Sequence, residues 1–422
     1  MNIAMLSVHT CPLATLGGKE TGGLNVYVRE LARELTAHGH RVDMFTRAHD
    51  SAVAHTVQGS EIGSRVFHVP TGPQAPYAKH RLFDYLPEFT RGVQAIIERE
   101  NIRYDVYHSH YWLSGRVAWE LQKCQPAPIV HMFHTLGAMK NQVAPSPANC
   151  ESARRISVER EIMKFADCIV AATPHERQQM VNLYGTSQDK IAIIPPGVNL
   201  DLFHPIEAND SPTHLPDDHT VLFVGRIDPI KGIDVWFRAM GLVAQEHPSW
   251  REHLYACLIG GDVDDESLPD TELARLRALA NELEIADRVS FLGKRSQESL
   301  PSNYATADVI VMPFLYESFG MVALEAMACG TPVVTSDVGG LPFVVRHGET
   351  GFLVPARDLQ ALADRLGQLL ADPRLRKRLG ECGVQVARAY AWHRIADQIE
   401  QVYQDVNQGL LLPAFDLARV YG

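Results

Sequence analysis

Thr220-Val221-Leu222-Phe223-Val224-Gly225-Arg226-Ile227-Asp228-Pro229-Ile230-Lys231-Gly232 decides the fold. An apolar run of strand length ends in glycine, a turn containing charges and proline follows, and Lys231-Gly232 leads into a helical pattern over residues 233–246. A strand, a glycine turn and a helix in that order make the repeating unit of a doubly wound parallel sheet. Downstream, strands are expected at 255–259, 289–292, 310–313, 333–335 and 351–354, with a helix at 273–283. Residues 358–370, 374–388 and 392–406 read as helices by their apolar periodicity.

Upstream the same alternation occurs independently. Strands are expected at 3–8, 42–46, 106–108, 129–133 and 169–172, and helices at 25–38, 87–99 and 153–166. Between the halves the chain turns through proline and glycine around 191–199, and the polar, acidic, proline-containing stretch 205–219 reads as a linker. With 422 residues the chain exceeds what one core usually supports, so two α/β domains are expected, at 1–200 and 201–391.

The net charge of −11, from 39 Lys plus Arg against 50 Asp plus Glu, argues against a general nucleic-acid or membrane-surface binder, which would want a positive field. Any anion must be held locally. Seven scattered cysteines form no CxxC pair and no zinc spacing, so they are expected to be reduced, in a cytoplasmic protein. The apolar start at 3–8 lacks a basic leader and runs into His9-Thr10, which makes it a first strand, and no apolar run reaches membrane-spanning length.

Three stretches carry chemistry. Gly17-Gly18-Lys19-Glu20-Thr21-Gly22-Gly23-Leu24-Asn25 follows the first strand and opens a helix, where glycines let backbone N–H groups approach a diphosphate. Arg226 and Lys231, five residues apart on a strand-to-helix turn, can converge on a pyrophosphate and neutralise it. In Glu317-Ser318-Phe319-Gly320-Met321-Val322-Ala323-Leu324-Glu325, two carboxylates lie eight residues apart, one on a loop and one in an apolar helix. Burying them is costly unless each accepts hydrogen bonds, which vicinal sugar hydroxyls can donate. Asp262-Val263-Asp264-Asp265 has the look of a metal-binding Asp-x-Asp but follows the Gly260-Gly261 turn and reads as a solvated loop.

The Gly22-Gly23 loop, Arg226 with Lys231 and the Glu317 to Glu325 unit, in this order, resemble the retaining GT-B glycosyltransferases. That family includes sucrose synthase, sucrose-phosphate synthase and D-inositol 3-phosphate glycosyltransferase. The resemblance covers nearly the whole chain. It implies two Rossmann-like domains facing across a cleft and a C-terminal helical segment, 392–422, crossing back onto the first domain. It further implies a UDP-sugar donor, a phosphorylated sugar or inositol acceptor, no cofactor and no essential metal.

On this resemblance Gly22, Gly23, Arg226, Lys231, Glu317, Phe319, Gly320, Met321, Val322 and Glu325 bind the donor. Arg226 and Lys231 hold its diphosphate, Glu325 its ribose hydroxyls and Glu317 the transferred sugar. His134, at the end of a strand that also carries His131, stands beside that sugar, with His110 at another strand end. Asn25, Lys79, Tyr111, Thr135, Lys140 and Arg155 form the acceptor side, where cations and hydroxyls suit a phosphate monoester.

The Glu20-Thr21-Gly22-Gly23 loop resembles the start of the sucrose enzymes and implies UDP-glucose and fructose 6-phosphate. Leu24-Asn25, where those enzymes carry Gln, and His108-Ser109-His110-Tyr111-Trp112 are closer to the inositol-phosphate enzyme, which uses UDP-GlcNAc. Two other function classes compete. An NAD-linked oxidoreductase is weakened because no strand precedes a GxGxxG with an acidic residue about twenty positions on. A catalytically silent sugar-nucleotide sensor would be expected to lack some of Arg226, Lys231, His134, Glu317 and Glu325, and all are present.

Overall fold

The computed structural model describes residues 1–14, 21–50, 56–58, 63–73, 77, 79–144, 146–206, 218–261, 263 and 271–410. It divides into two compact units: Met1–Ala14 with Gly23–Pro196 and Trp392–Gly422, and Thr15–Gly22 with Gly197–Ala391.

The first unit runs β1 (Asn2–Leu6), α1 (Gly23–Ala37), β2 (Arg41–Ala48), β3 (Thr56–Gln58), β4 (Arg65–Pro70), α2 (Leu86–Glu100), β5 (Val106–His110) and α3 (Tyr111–Cys124). It continues through β6 (Ile129–Met132), α4 (Gly137–Val143), α5 (Ala153–Phe165), β7 (Cys168–Ala171), α6 (Pro174–Tyr184) and β8 (Ile191–Ile193). The sheet order among the described residues is β3-β4-β2-β1-β5-β6-β7-β8, parallel except for the β3/β4 pair. Ile3, Met5, Val106, Ile129 and Ile169 are fully buried, as strands covered on both faces must be.

The second unit holds β9 (His219–Val224), α7 (Ile233–Glu246), β10 (Leu254–Ile259), α8 (Glu272–Glu282), β11 (Val289–Gly293), α9 (Leu300–Thr306) and β12 (Val309–Met312). After these come α10 (Met321–Ala328), β13 (Val333–Ser336), α11 (Leu341–Val344), β14 (Gly351–Val354), α12 (Leu359–Ala371) and α13 (Pro373–Ala387). Its sheet, β11-β10-β9-β12-β13-β14, is parallel throughout.

The last helix, α14 (Trp392–Asn407), returns to the first unit and packs on α1. Trp392, Ile395, Ile399, Val402 and Tyr403 make its buried stripe, the spacing of one helical face. The Trp392 ring meets Tyr27 edge-on at 5.4 Å, and Glu400 receives His38 Nδ1 at 3.1 Å. No helix among the described residues is long and apolar enough to cross a membrane.

The sequence pattern misses α3, α4, α6, α9 and α11, the β3/β4 hairpin, and the short strand β8 inside the segment read as a turn. The physical reason is clearest at α3. Strand β5 extends to His110, two residues beyond its expected end, and the helix begins at the next residue. The turn is made by Tyr111 itself, with φ of 72°, so no glycine or proline marks it.

Candidate active site

In each unit the strand order reverses once, between β1 and β5 and between β9 and β12. Ligands of open α/β sheets bind beyond the carboxyl ends of strands at such a reversal. In the second unit Arg226 and Lys231, after β9, and Glu317, after β12, flank that reversal.

In the first unit, Tyr111 follows β5 and His134 lies two residues past β6, and both have left-handed backbones, with φ of 72° and 60°. Such a conformation costs a non-glycine residue about 1–3 kcal/mol and persists only where its surroundings enforce it. For His134 the enforcing neighbours are Tyr27, edge-on at 5.2 Å, and His110, whose Nδ1 lies 3.1 Å from His134 Nε2. One of those nitrogens must donate. His110 Nε2 is buried without a partner, and a bare lone pair there costs less than an orphaned N–H. The proton therefore sits on His110 Nδ1, His134 accepts, and His134 keeps its own proton on Nδ1. Burial holds both rings neutral, pushing His134 down to about 3 and His110 well below the usual imidazole range.

Arg155 is the centre of the second cluster, 2% exposed. Its Nε donates to Glu159 at 2.7 Å. Nη1 reaches the Tyr111 hydroxyl at 3.1 Å and Glu151 Oε1 at 2.8 Å. Nη2 donates to the Thr135 carbonyl at 2.7 Å and to its hydroxyl at 3.0 Å. Lys140 Nζ approaches the same Glu151 Oε1 at 2.5 Å. Thus Tyr111, Thr135, Lys140 and Arg155, scattered in sequence, stand together.

Asn25 is held by the loop after β1. Its buried amide donates to Thr10 Oγ1 and to the Cys11 carbonyl, both at 2.7 Å, tying α1 to the loop after β1. The Lys79 side chain and residues 15–20, including Gly17, Gly18, Lys19 and Glu20, lie outside the described residues. Gly22 precedes α1 and Gly23 opens it.

In the second unit, Lys231 Nζ lies 2.7 Å from Glu317 Oε2 and 3.8 Å from the centre of the Phe314 ring. Burial by itself would raise the Glu317 carboxyl. The Lys231 ammonium, the Phe319 backbone N–H and Arg226 outweigh it and hold the group below the usual carboxylate range. Two glycines set this loop: an added Cβ would fall 2.0 Å from the Pro313 carbonyl at Gly232 and 1.9 Å from the Glu317 carbonyl at Gly339. Both have positive φ, 62° and 56°.

Beyond Glu317, Phe319 is buried and Gly320 caps α10 with φ of 108°, so Met321 and Val322 form the helix's first turn. Glu325, one turn further, is 7% exposed and accepts from the Tyr304 hydroxyl at 2.8 Å and from Gln297 at 3.4 Å. Burial and the neighbouring carboxylate keep the Tyr304 phenol protonated, far above its ordinary range. Asp262, Asp264 and Asp265 of the acidic loop lie outside the described residues.

Sequence reading overlooked the partners of these groups: Glu151, Glu159, Tyr304, Gln297 and Phe314. A signal existed for the first two, since Glu151, Arg155 and Glu159 are spaced four apart, the spacing that aligns side chains on one helical face.

Residues 206–386 match the model for glycosyl transferases group 1, and residues 21–202 match that for glycosyltransferase family 4. The chain is 37% identical over 413 residues to D-inositol 3-phosphate glycosyltransferase of Corynebacterium glutamicum, covering 96% of this chain and 97% of that one. The enzyme of the same name from Streptomyces scabiei is 41% identical over 406 residues, 95% of this chain and 90% of its relative. Among solved structures, sucrose-phosphate synthase from Thermosynechococcus elongatus superposes with a TM-score of 0.88 at 36% identity, over 97% of this chain and 99% of the other. Two doubly wound parallel sheets, the second with Lys231 and Glu317 at its point of reversal, accompany these likenesses. The chain belongs to the GT-B glycosyltransferase family and is a glycosyltransferase.

Proposed function

We propose that the enzyme transfers glucose from UDP-glucose to fructose 6-phosphate with retention of configuration and without an essential metal ion. The observation that carries the phosphorylated acceptor is the convergence of Lys140 and Arg155 on one oxygen, Glu151 Oε1, at 2.5 and 2.8 Å. Two cations arranged around one anionic oxygen suit another, and a phosphate monoester offers three. The likeness to sucrose-phosphate synthase over nearly the whole chain supports fructose 6-phosphate.

In the reaction the bond between glucose C1 and the β-phosphate oxygen breaks, and the acceptor hydroxyl oxygen bonds to C1 on the same face. Its proton passes to the departing phosphate oxygen. Lys231 and Arg226 neutralise the diphosphate, aided by the amides of Met321 and Val322 at the α10 start and by the Gly22 and Gly23 backbone. An ammonium has three donors, so Lys231 can keep Glu317 while gripping a phosphate. Glu317, held ionised, accepts from hydroxyls of the glucose, Glu325 accepts from the ribose, and His134 offers its Nδ1 proton to the sugar. Seven free thiols suit a cytoplasmic enzyme.

A second reading takes inositol 3-phosphate as the acceptor, with UDP-GlcNAc as its donor; the names of the Corynebacterium and Streptomyces relatives favour that acceptor. Offering each donor with each acceptor in EDTA, and identifying products by mass, decides between them. A sucrose phosphate product upholds the proposal. Turnover only with inositol 3-phosphate replaces it by the second reading, and loss of turnover in EDTA removes the metal-independent mechanism.

A further inference from the structure

Arg155 has five N–H hydrogens, and five acceptors surround them: Glu159, the Tyr111 hydroxyl, Glu151, and the Thr135 carbonyl and hydroxyl. A guanidinium so engaged can give a phosphate nothing unless one acceptor leaves. The charges tell the same story, because Lys140 and Arg155 are balanced by Glu151 and Glu159. As it stands, this set of four offers an incoming dianion no net attraction.

Three of the five acceptors are fixed. Glu159 is 0% exposed and takes the Gly137 N–H at 3.1 Å as well as the Tyr184 hydroxyl. Thr135 contributes main chain, and Tyr111 is buried with its ring against the guanidinium, 4.8 Å from centre to Cζ. Glu151 differs. Its side chain retains 18% exposure and it precedes α5. Its backbone is clamped on both sides by Asn141, N–H to Oδ1 at 2.6 Å and carbonyl from Nδ2 at 3.2 Å. Outward rotation of the side chain would leave the main chain in place.

We propose that Glu151 is the enzyme's internal stand-in for the acceptor phosphate. Its carboxylate occupies the phosphate position in the unliganded enzyme, and an acceptor binds there only by displacing it. This rests on the acceptor pocket proposed above. It makes Glu151 a specificity-determining residue, since a phosphate dianion gains more from Lys140 and Arg155 than the carboxylate gives up, whereas a neutral sugar gains nothing.

The test is calorimetric titration of inorganic phosphate into the full chain, with no turnover required. Glu151→Gln keeps the shape and removes the charge, and is expected to tighten phosphate binding by about tenfold, the scale of one charge-assisted hydrogen bond. Glu151→Asp keeps the charge and should stay within about twofold of wild type. Adding Lys140→Ala to Glu151→Gln should abolish the gain.

Unchanged or weaker binding in Glu151→Gln overturns the inference, as does equal tightening in Glu151→Asp or a gain that survives loss of Lys140. If wild type binds phosphate through Lys140 yet Glu151→Gln makes no difference, the acceptor pocket stands and the stand-in falls. If no variant binds phosphate, both fall.

Discussion

Lys231 Nζ and Glu317 Oε2, 86 positions apart in the chain, are in contact at 2.7 Å. One ion pair thereby joins the turn after β9 to the loop after β12, across the point where the strand order reverses. Burial would raise the Glu317 carboxyl, and Lys231 leads the groups that hold it low. Lys231→Met should lower kcat by about a hundredfold, roughly 3 kcal/mol of leaving-group stabilisation. It should also move the acid limb of kcat/KM to higher pH, because Glu317 without its cation keeps its proton longer. An acid limb that stays in place in Lys231→Met would separate the pair from catalysis.

The same loop is braced by Gly339, where a methyl group would lie 1.9 Å from the Glu317 carbonyl. Relief requires the Glu317 main chain to move, and a displacement of an ångström at a positioning group can cost about a hundredfold. Gly339→Ala is expected to raise KM for the nucleotide sugar and lower kcat, with KM for the acceptor little changed. Steady-state kinetics with each substrate varied in turn checks this, and an equal rise in both KM values contradicts it.

Much of this arrangement was readable from the sequence where periodicity and punctuation agreed. The expected helix at 233–246 and strand at 351–354 coincide with α7, which follows Gly232, and β14, which opens on Gly351. Where a non-glycine residue makes the turn, as Tyr111 does with its φ of 72°, local signals are absent and α3 was lost. The charged residues of the candidate site were legible because they stand in short motifs. Their partners were not: Glu317 and Lys231 meet through sheet order, and Tyr304 reaches Glu325 from another helix. Such pairings belong to tertiary structure, which no single stretch of sequence encodes.

Arg155 and Lys140 should fail in different ways when removed. Arg155→Ala leaves Glu159, fully buried, without its cation, which is expected to cost about 3–5 kcal/mol of stability besides any loss of acceptor binding. Lys140, with 31% of its side chain exposed, belongs to a pair that contributes little to folding. Lys140→Ala should therefore keep the wild-type Tm and raise KM for the phosphorylated acceptor by about tenfold, leaving KM for the donor alone. A matching rise in donor KM would remove Lys140 from the acceptor pocket.

The buried histidines make the first unit sensitive to acid. His108, His110 and His131 are each 0% exposed, and burial is the main cause that depresses all three, His108 to about 3 and the others well below the imidazole range. Unfolding returns them to about 6.5. Below that pH the unfolded chain binds protons that the folded one refuses, so stability is fully present above about 6.5 and declines as pH falls toward the folded values. Each imidazole contributes about 1.4 kcal/mol per pH unit in that window, so lowering pH from 7.5 to 5.5 should cost about 4 kcal/mol from these three together. That is a large share of an ordinary domain's stability. Urea unfolding followed between pH 7.5 and 5.5 reads the loss directly. A free energy of unfolding that holds level over that range would mean that these imidazoles gain protons in the folded protein, and with them that the histidine cluster is open to water.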